Sequence, residues 1–297
     1  MACDALSQAQ TKTPFSFRFW LTRAIESFLR GGTCYADQMF LIKRGIVEDT
    51  LQNILAINFT RPKEVLQSCF DMLGELIKFN SQGFTILSGQ LAGADKFNML
   101  IRMVNQSLVD SNMFLRSIFL SIEFFENNAE TLDQAAAASN QILAHFSSFD
   151  RRVNLLCKMI NIINLHNLSQ ENVSCLNTAL VLLMLANRRQ KLPQYLKAIQ
   201  MRSIQLQTGG VSSDETVDLL ANFKDLLVFW MGHYLQKDKD CVGLEQNSRI
   251  EFTYWRHTVD LLLDSDSKNK CSLDFYMCSE SDLFEKKPPR IDEYRCD

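Results

Sequence analysis

The chain is short of the residues that break regular structure. It has 11 glycines and 5 prolines in 297 residues, less than half the usual share of about 12%. A β-sandwich or barrel needs a turn about every 8–12 residues, so an all-β fold is excluded. Excess charge of one sign is also missing: 31 basic and 34 acidic side chains leave a net charge of −3. That excludes the strongly basic surface of a nucleic-acid binder. With 46% hydrophobic residues, the composition is not that of a disordered chain. The longest apolar run, Ala179 to Ala186, is far below the roughly 20 residues a bilayer span requires. Met1 to Gln10 lacks the apolar core of a signal peptide, so the sequons at Asn58, Asn105, Asn167 and Asn172 carry no weight. The 9 cysteines include no C-x-x-C pair. Cys34, Cys69, Cys157 and Cys175 sit in apolar patterns, as free thiols of a reducing, cytoplasmic setting do.

Motifs of catalysis are absent as well. There is no G-x-S-x-G elbow, Walker loop, G-x-G-x-x-G or H-E-x-x-H. His145, His166, His233 and His257 share no ligand spacing, and Cys271 and Cys278 lack zinc-site partners. No metal, no cofactor and no enzymatic activity are expected. Cys175 is the nearest candidate nucleophile, but it lies in an apolar helix where a thiolate would be poorly solvated.

What is present is helical periodicity. Pro14, Pro62 and Pro193 stand at helix starts, where the missing N–H costs nothing. The first helix is expected to bury Phe17, Trp20, Leu21, Ala24, Ile25 and Phe28 and to stop at Gly31-Gly32. The next runs from Tyr35, breaks at Gly45 and resumes to about Ile57. Val65, Leu66, Cys69, Phe70, Leu73, Leu76 and Ile77 form the stripe of the helix after Pro62. Gly83, Gly89 and Gly93 make 81–94 the weakest helical stretch. Further helices are expected at 95–107, 110–127, 131–147, 149–166, 169–187, 193–207, 213–236 and 248–264.

Helix starts near 110, 149 and 193 lie about 40 residues apart, the period of stacked helix pairs. The fold class expected is all-α, an armadillo/HEAT-like helical repeat (α-solenoid) over 13–264; an irregular helical bundle is the alternative. Residues 1–12 are expected to be disordered, and 265–297 to form an irregular polar tail ending in Lys286-Lys287-Pro288-Pro289-Arg290 and beyond. Phe15, Phe17, Phe19 and Trp20 are candidates for an apolar end face or its cap.

The polar signal is a stripe of asparagines. In helix 149–166 the apolar residues fill about half of the helical wheel, and Asn154, Asn161 and Asn164 share the other half with Cys157 and Lys158. An amide side chain offers donors and an acceptor, so such a row can pair with the backbone of an extended peptide; a plain solvated face is the alternative. Arg188 and Arg189, with Lys191, form a weak basic cluster before Pro193. They suit a carboxylate or simply a helix C-terminus. These five residues, Asn154, Asn161, Asn164, Arg188 and Arg189, are the partner-binding candidates.

Several stretches carry a family resemblance: RFWLTRAIESFLRGG at 18–32, YADQMFL at 35–41, VLQS at 65–68, and GEL at 74–76 with KFN at 78–80. Further on come SLVDSNM at 107–113, QENVSCLNT at 170–178, and HYL at 233–235 with KDKD at 237–240. In their shared order they resemble the C-terminal part of the short transient receptor potential channel 4-associated (TRUSS) family, over about 18–264. The resemblance implies a non-catalytic, armadillo-like protein. It implies a substrate-recognition adaptor of a cullin-4 RING ubiquitin ligase, whose partners are the ligase subunits and substrates with C-terminal degrons bearing an arginine near the end. It also implies a scaffold at tumour-necrosis-factor receptor and calcium-channel tails. Family members extend further on the N-terminal side, and the tail after Asp264 departs from the family pattern. No binding residue is carried over from the family.

Overall fold

The computed structural model describes residues 17–31, 35–56, 63–127, 140–167, 169–208 and 219–230. Among them are twelve α-helices and no strand. They are α1 (Phe17–Gly31), α2 (Tyr35–Lys43), α3 (Ile46–Ala56), α4 (Lys63–Ile77), α5 (Ser81–Gln90) and α6 (Ala94–Gln106). After these come α7 (Leu108–Asn127), α8 (Gln141–Ser147), α9 (Phe149–Ile162), α10 (Gln170–Arg188), α11 (Leu192–Thr208) and α12 (Leu219–Trp230). The expected segments 1–12, 248–264 and 265–297 lie outside the described residues.

Every third helix stacks on the next, giving a row α1–α4–α7–α10. The first three start at Phe17, Lys63 and Leu108, steps of 46 and 45 residues. α4, α7 and α10 run parallel, because contacts advance along both partners together. Phe70 on α4 meets Phe114 on α7, with ring centroids 5.7 Å apart, and Phe79 just past α4 meets Phe124 at 5.0 Å. On the other side of α7, Thr178 Oγ1 donates to Asn112 O at 3.3 Å, and Arg189 reaches Glu123 at 3.1 Å. Parallel stacking of helices three apart belongs to a repeat, not to an up-and-down bundle. The repeat therefore has a different frame from the one read in the sequence. α9 and α11, starting at 149 and 192, do not continue the row from α7; α9 packs against α10, α12, α8 and α11 instead.

The row forms the core. Residues 68–78, 111–123 and 173–186 are buried without interruption, the polar and charged ones among them included. Gly74 sets the closest approach: a Cβ there would lie 3.1 Å from Phe114 Cα and 3.1 Å from Ser117 Oγ. The missing side chain lets the α4 and α7 backbones come together.

Charges sit inside this row. Glu26, Asp71 and Arg116 occupy matching positions on α1, α4 and α7, and each is only 2–3% exposed. Arg23 lies 3.3 Å from Glu26 and 3.4 Å from Asp71, and Arg30 also pairs with both acids. Burial pushes the Asp71 carboxyl up to about 8, against the pull of Arg30 and Arg23. Lys78 Nζ donates to Glu75 Oε2 at 2.6 Å, both fully buried. Gln38 on α2 donates to the carbonyls of Glu75 and Lys78 at 2.8 and 3.0 Å, tying α2 to the end of α4. Buried charges need such partners, since an unpaired one costs several kcal/mol (roughly).

Two local readings change. The stripe assigned to the core of α1 faces outward in part: Trp20 is 60% and Phe28 61% exposed, and Leu21 is exposed as well. Phe19, Glu26 and Leu29 are buried instead, because α1 docks on α4 through the Glu26–Arg23–Arg30–Asp71 cluster. The segment expected to be weakest holds a ten-residue helix, α5. Asn80 caps it by accepting from Gly83 N at 2.9 Å. Gly45, at φ +82°, makes the break between α2 and α3 that the sequence indicated.

Candidate functional site

The polar face of α9 does not open onto bulk solvent alone. It forms one wall of a pocket of about 480 Å³. Arg151, Asn154, Lys158 and Asn161 line it from α9, with Leu155 and Cys157. Their spacing of three, four and three residues keeps the four polar groups on one side of the helix. Cation and amide therefore alternate along almost three turns. α6 adds Ile101 and Asn105, α8 adds His145 and Phe146, and α11 adds Arg202 and Leu206; Leu219 of α12 completes the lining.

Short hydrogen bonds hold the wall. Lys158 Nζ donates to Asn105 Oδ1 at 2.9 Å, while Asn105 Nδ2 donates to Ile101 O at 2.8 Å. Arg151 Nη1 lies 2.5 Å from Nδ1 and 2.7 Å from Nε2 of His145. Burial, and then the Arg151 charge, hold His145 down at about 4, so the imidazole is neutral at pH 7 and can accept a hydrogen bond. Its ring stands edge-on to Phe97 at 5.3 Å and Phe146 at 4.9 Å. Cys157 is buried, and burial raises its thiol against the pull of Arg202.

The charge balance is one-sided. Arg151, Lys158 and Arg202 are cationic, and among the described residues no carboxylate lines the pocket. None of the three takes part in an ion pair among the described residues. The cations of the row do the opposite: Arg23, Arg30 and Lys78 all pair with acids. A concave, water-exposed site with unopposed guanidinium and ammonium groups is built for an anion.

Of the five candidates, the structure brings Asn154 and Asn161 together in this wall. Asn164 lies past the helix end, where its Oδ1 accepts from His166 N at 3.0 Å and Asn167 N at 3.2 Å and so builds a turn. Arg189 is drawn to the end of α7. Its Nε donates to Glu123 Oε2 at 3.1 Å, its Nη2 donates to Asn127 Oδ1 at 3.0 Å, and Glu126 lies 3.1 Å away. Arg188 belongs to α10, and its side chain is outside the described residues. Sequence reasoning missed Arg151, His145, Asn105 and Arg202. Arg151 was legible, seven residues before Lys158 on the asparagine face. The other three come from separate helices. Cys175 is fully buried, and burial pushes its thiol up to about 12, which keeps it protonated and unreactive at neutral pH.

Comparison with known proteins agrees with the motif resemblance. The chain is 44% identical over 274 residues to the short transient receptor potential channel 4-associated protein of Homo sapiens and, at the same identity, to that of Mus musculus. The matched region is 92% of this chain and 33% of each relative. The chain thus spans about a third of the length of the curated relatives it matches. No solved structure matches. No described helix is long and apolar enough to cross a membrane. The family described as protein of unknown function (DUF3689) matches residues 4–201, two-thirds of an all-helical chain, and to that family this chain belongs.

Proposed function

We propose that the chain is a non-catalytic binding protein that recognises the tails of partner proteins in the α9 pocket. The observation that carries this reading is the set of three cations, Arg151, Lys158 and Arg202, gathered without a counter-carboxylate among the described residues. Asn154 and Asn161 stand between and beside them with amides that can pair with a peptide backbone. A free C-terminal carboxylate is the anion that an extended tail brings with it. In the fuller form of the proposal, the protein works in the cytoplasm as the substrate-recognition adaptor of a cullin-4 RING ubiquitin ligase and selects substrates by C-terminal degrons. The pocket supports the carboxylate half of such a degron. Its described lining holds no acid for the arginine near the degron's end.

The experiment is a binding titration of degron-type peptides with free and amidated C-termini. Amidation is expected to weaken binding about tenfold or more, the value of a charge-assisted hydrogen bond in a partly closed site. Unchanged affinity would sink the degron reading. Affinity purification of this chain and of the longer relatives should recover cullin-4 ligase subunits if the adaptor role is right.

A second reading is favoured by the relatives' own name, which ties them to a short transient receptor potential channel. On this reading the same pocket holds a channel or tumour-necrosis-factor receptor tail as a scaffold, without ubiquitin transfer. Partner abundance would then stay unchanged when the cullin ligase is removed, whereas the adaptor reading requires it to rise.

A further inference from the structure

α1 turns its charges inward and its apolar residues outward. Arg23 and Arg30 reach Glu26 of α1 and Asp71 of α4. On the opposite side Trp20, Leu21, Ala24, Ser27 and Phe28 are exposed. At 3.6 residues per turn these five fall within an arc of about 120°, one continuous helix face. None of them is charged. Ala24 and Ser27 make the middle of the face small, with Trp20 and Leu21 at one end and Phe28 at the other.

The same face is covered elsewhere in the row. The step of 45 residues that relates Glu26, Asp71 and Arg116 carries Ala24, Ser27 and Phe28 to Cys69, Met72 and Leu73 of α4. A second step carries them to Phe114, Ser117 and Ile118 of α7. All six of these residues are buried. On α7 this is the face that receives α4, since a Cβ on Gly74 would lie 3.1 Å from Phe114 Cα and from Ser117 Oγ. A repeat end that meets water carries a polar outer face, which α1 lacks. A lipid surface fits less well, because an interfacial helix offers Lys or Arg to the lipid beside its apolar face, and Arg23 and Arg30 are held by Glu26 and Asp71.

We infer that the outward face of α1 docks one more helix of the row. Its partner is an α-helix with an apolar stripe and a small residue at the middle, the kind of surface that α4 presents to α7 through Gly74. In the relatives, most of whose length lies outside the match, that helix comes from the unmatched part of the same polypeptide. Ala24 and Ser27 let the two axes approach to about 8–10 Å, and Trp20 and Phe28 close over the ends of the contact. The face shares no residue with the α9 pocket, so it stands or falls apart from the tail-binding reading.

The test compares this chain with the full-length Homo sapiens relative, both purified. A photo-crosslinking phenylalanine analogue is placed in the relative at the residue aligned with Phe28. It is expected to crosslink to a segment outside the matched region of the same molecule, identified by mass spectrometry. Crosslinks confined to the matched region, crosslinks to a second copy, or no crosslink at all overturn the inference. Ala24→Arg gives an independent readout. In this chain alone the face is open, so the melting temperature should move by about 2 °C or less. The aligned substitution in the relative should lower it by about 4 °C or more, because an arginine overfills a helix–helix contact. An equal fall in both proteins would show that this chain's own residues cover the face, and no fall in either would show that nothing does; both results overturn the inference.

Discussion

The central row and the α9 pocket use the same side chains to opposite ends. In the row, Glu26, Asp71, Glu75 and Lys78 are buried beside charges of the other sign. In the pocket, Arg151 meets a neutral imidazole and Lys158 a neutral amide, and Arg202 stands beside them. Adjacent residues make the contrast sharpest. Arg152 is spent on the fold: its Nε donates to Phe146 O at 2.8 Å, and its guanidinium lies 5.6 Å from the Phe119 ring centroid. Arg151, one position earlier, faces the pocket. A charge with a partner holds helices together; a charge without one is available to something else.

Substitutions can break that contrast, and the largest effects belong to the row. Phe114→Ala removes a fully buried ring packed on Phe70 of α4 and is expected to cost about 3–5 kcal/mol, seen as a shifted denaturant midpoint. Asp71 gives the row a pH dependence. Its carboxyl is pushed up to about 8 when folded, from 3.8 otherwise. Between those values the folded state binds the proton and the unfolded state does not. Stability from this group is therefore greatest at the acid end and falls as pH rises toward 8, at up to about 1.4 kcal/mol per pH unit. Asp71→Asn should flatten that slope in melting curves taken from pH 5 to 8 (about the usable range). A slope that survives unchanged would show that Asp71 does not titrate there.

Smaller effects sharpen the comparison. Asn177 on α10 is 1% exposed, and neither its Oδ1 nor its Nδ2 finds a hydrogen-bond partner. Asn177→Leu, which removes that unmet demand at similar volume, is expected to stabilise by about 1–3 kcal/mol. A loss of stability would show that the amide is used. Smallest of all are Asn161→Ala and Arg202→Ala in the pocket wall. Both residues are exposed, and each should shift stability by no more than about 0.5 kcal/mol while weakening peptide binding. A large fall in melting temperature would make the pocket wall structural, like the row.

Much of the fold was legible from periodicity. α4, α6, α7 and α10 begin and end close to where apolar spacing, prolines and glycines place them, while α9 ends at Ile162, four residues before the expected 166. The misses have physical causes. α5 was undervalued because its three nearby glycines weigh against a helix, and the cap from Asn80 with the packing of Phe84 and Leu87 outweighs them. The outward face of α1 was misread because an apolar stripe says which residues are alike, not which face meets a neighbour. The repeat frame was misplaced because helix starts alone do not distinguish a stacked helix from its connectors. In the pocket, the α9 face was visible as asparagines, and Arg151 lay within the same pattern. Asn105 and Arg202 were not readable, since no local rule links them to Lys158, 53 and 44 residues away, and His145 was missed because it sits on a different helix from Arg151.

By itself the sequence determined an all-helical chain with few breaks, thiols placed in apolar surroundings, and a family to which it belongs. These follow from local propensity, from periodicity and from the order of matching segments, all of which act along the chain. Only the tertiary structure decided which charges are paired. Whether a cation lies against a carboxylate or faces the pocket depends on which helices stack. That is fixed by the row of α1, α4, α7 and α10, where burial of apolar faces outweighs the preference of any single residue.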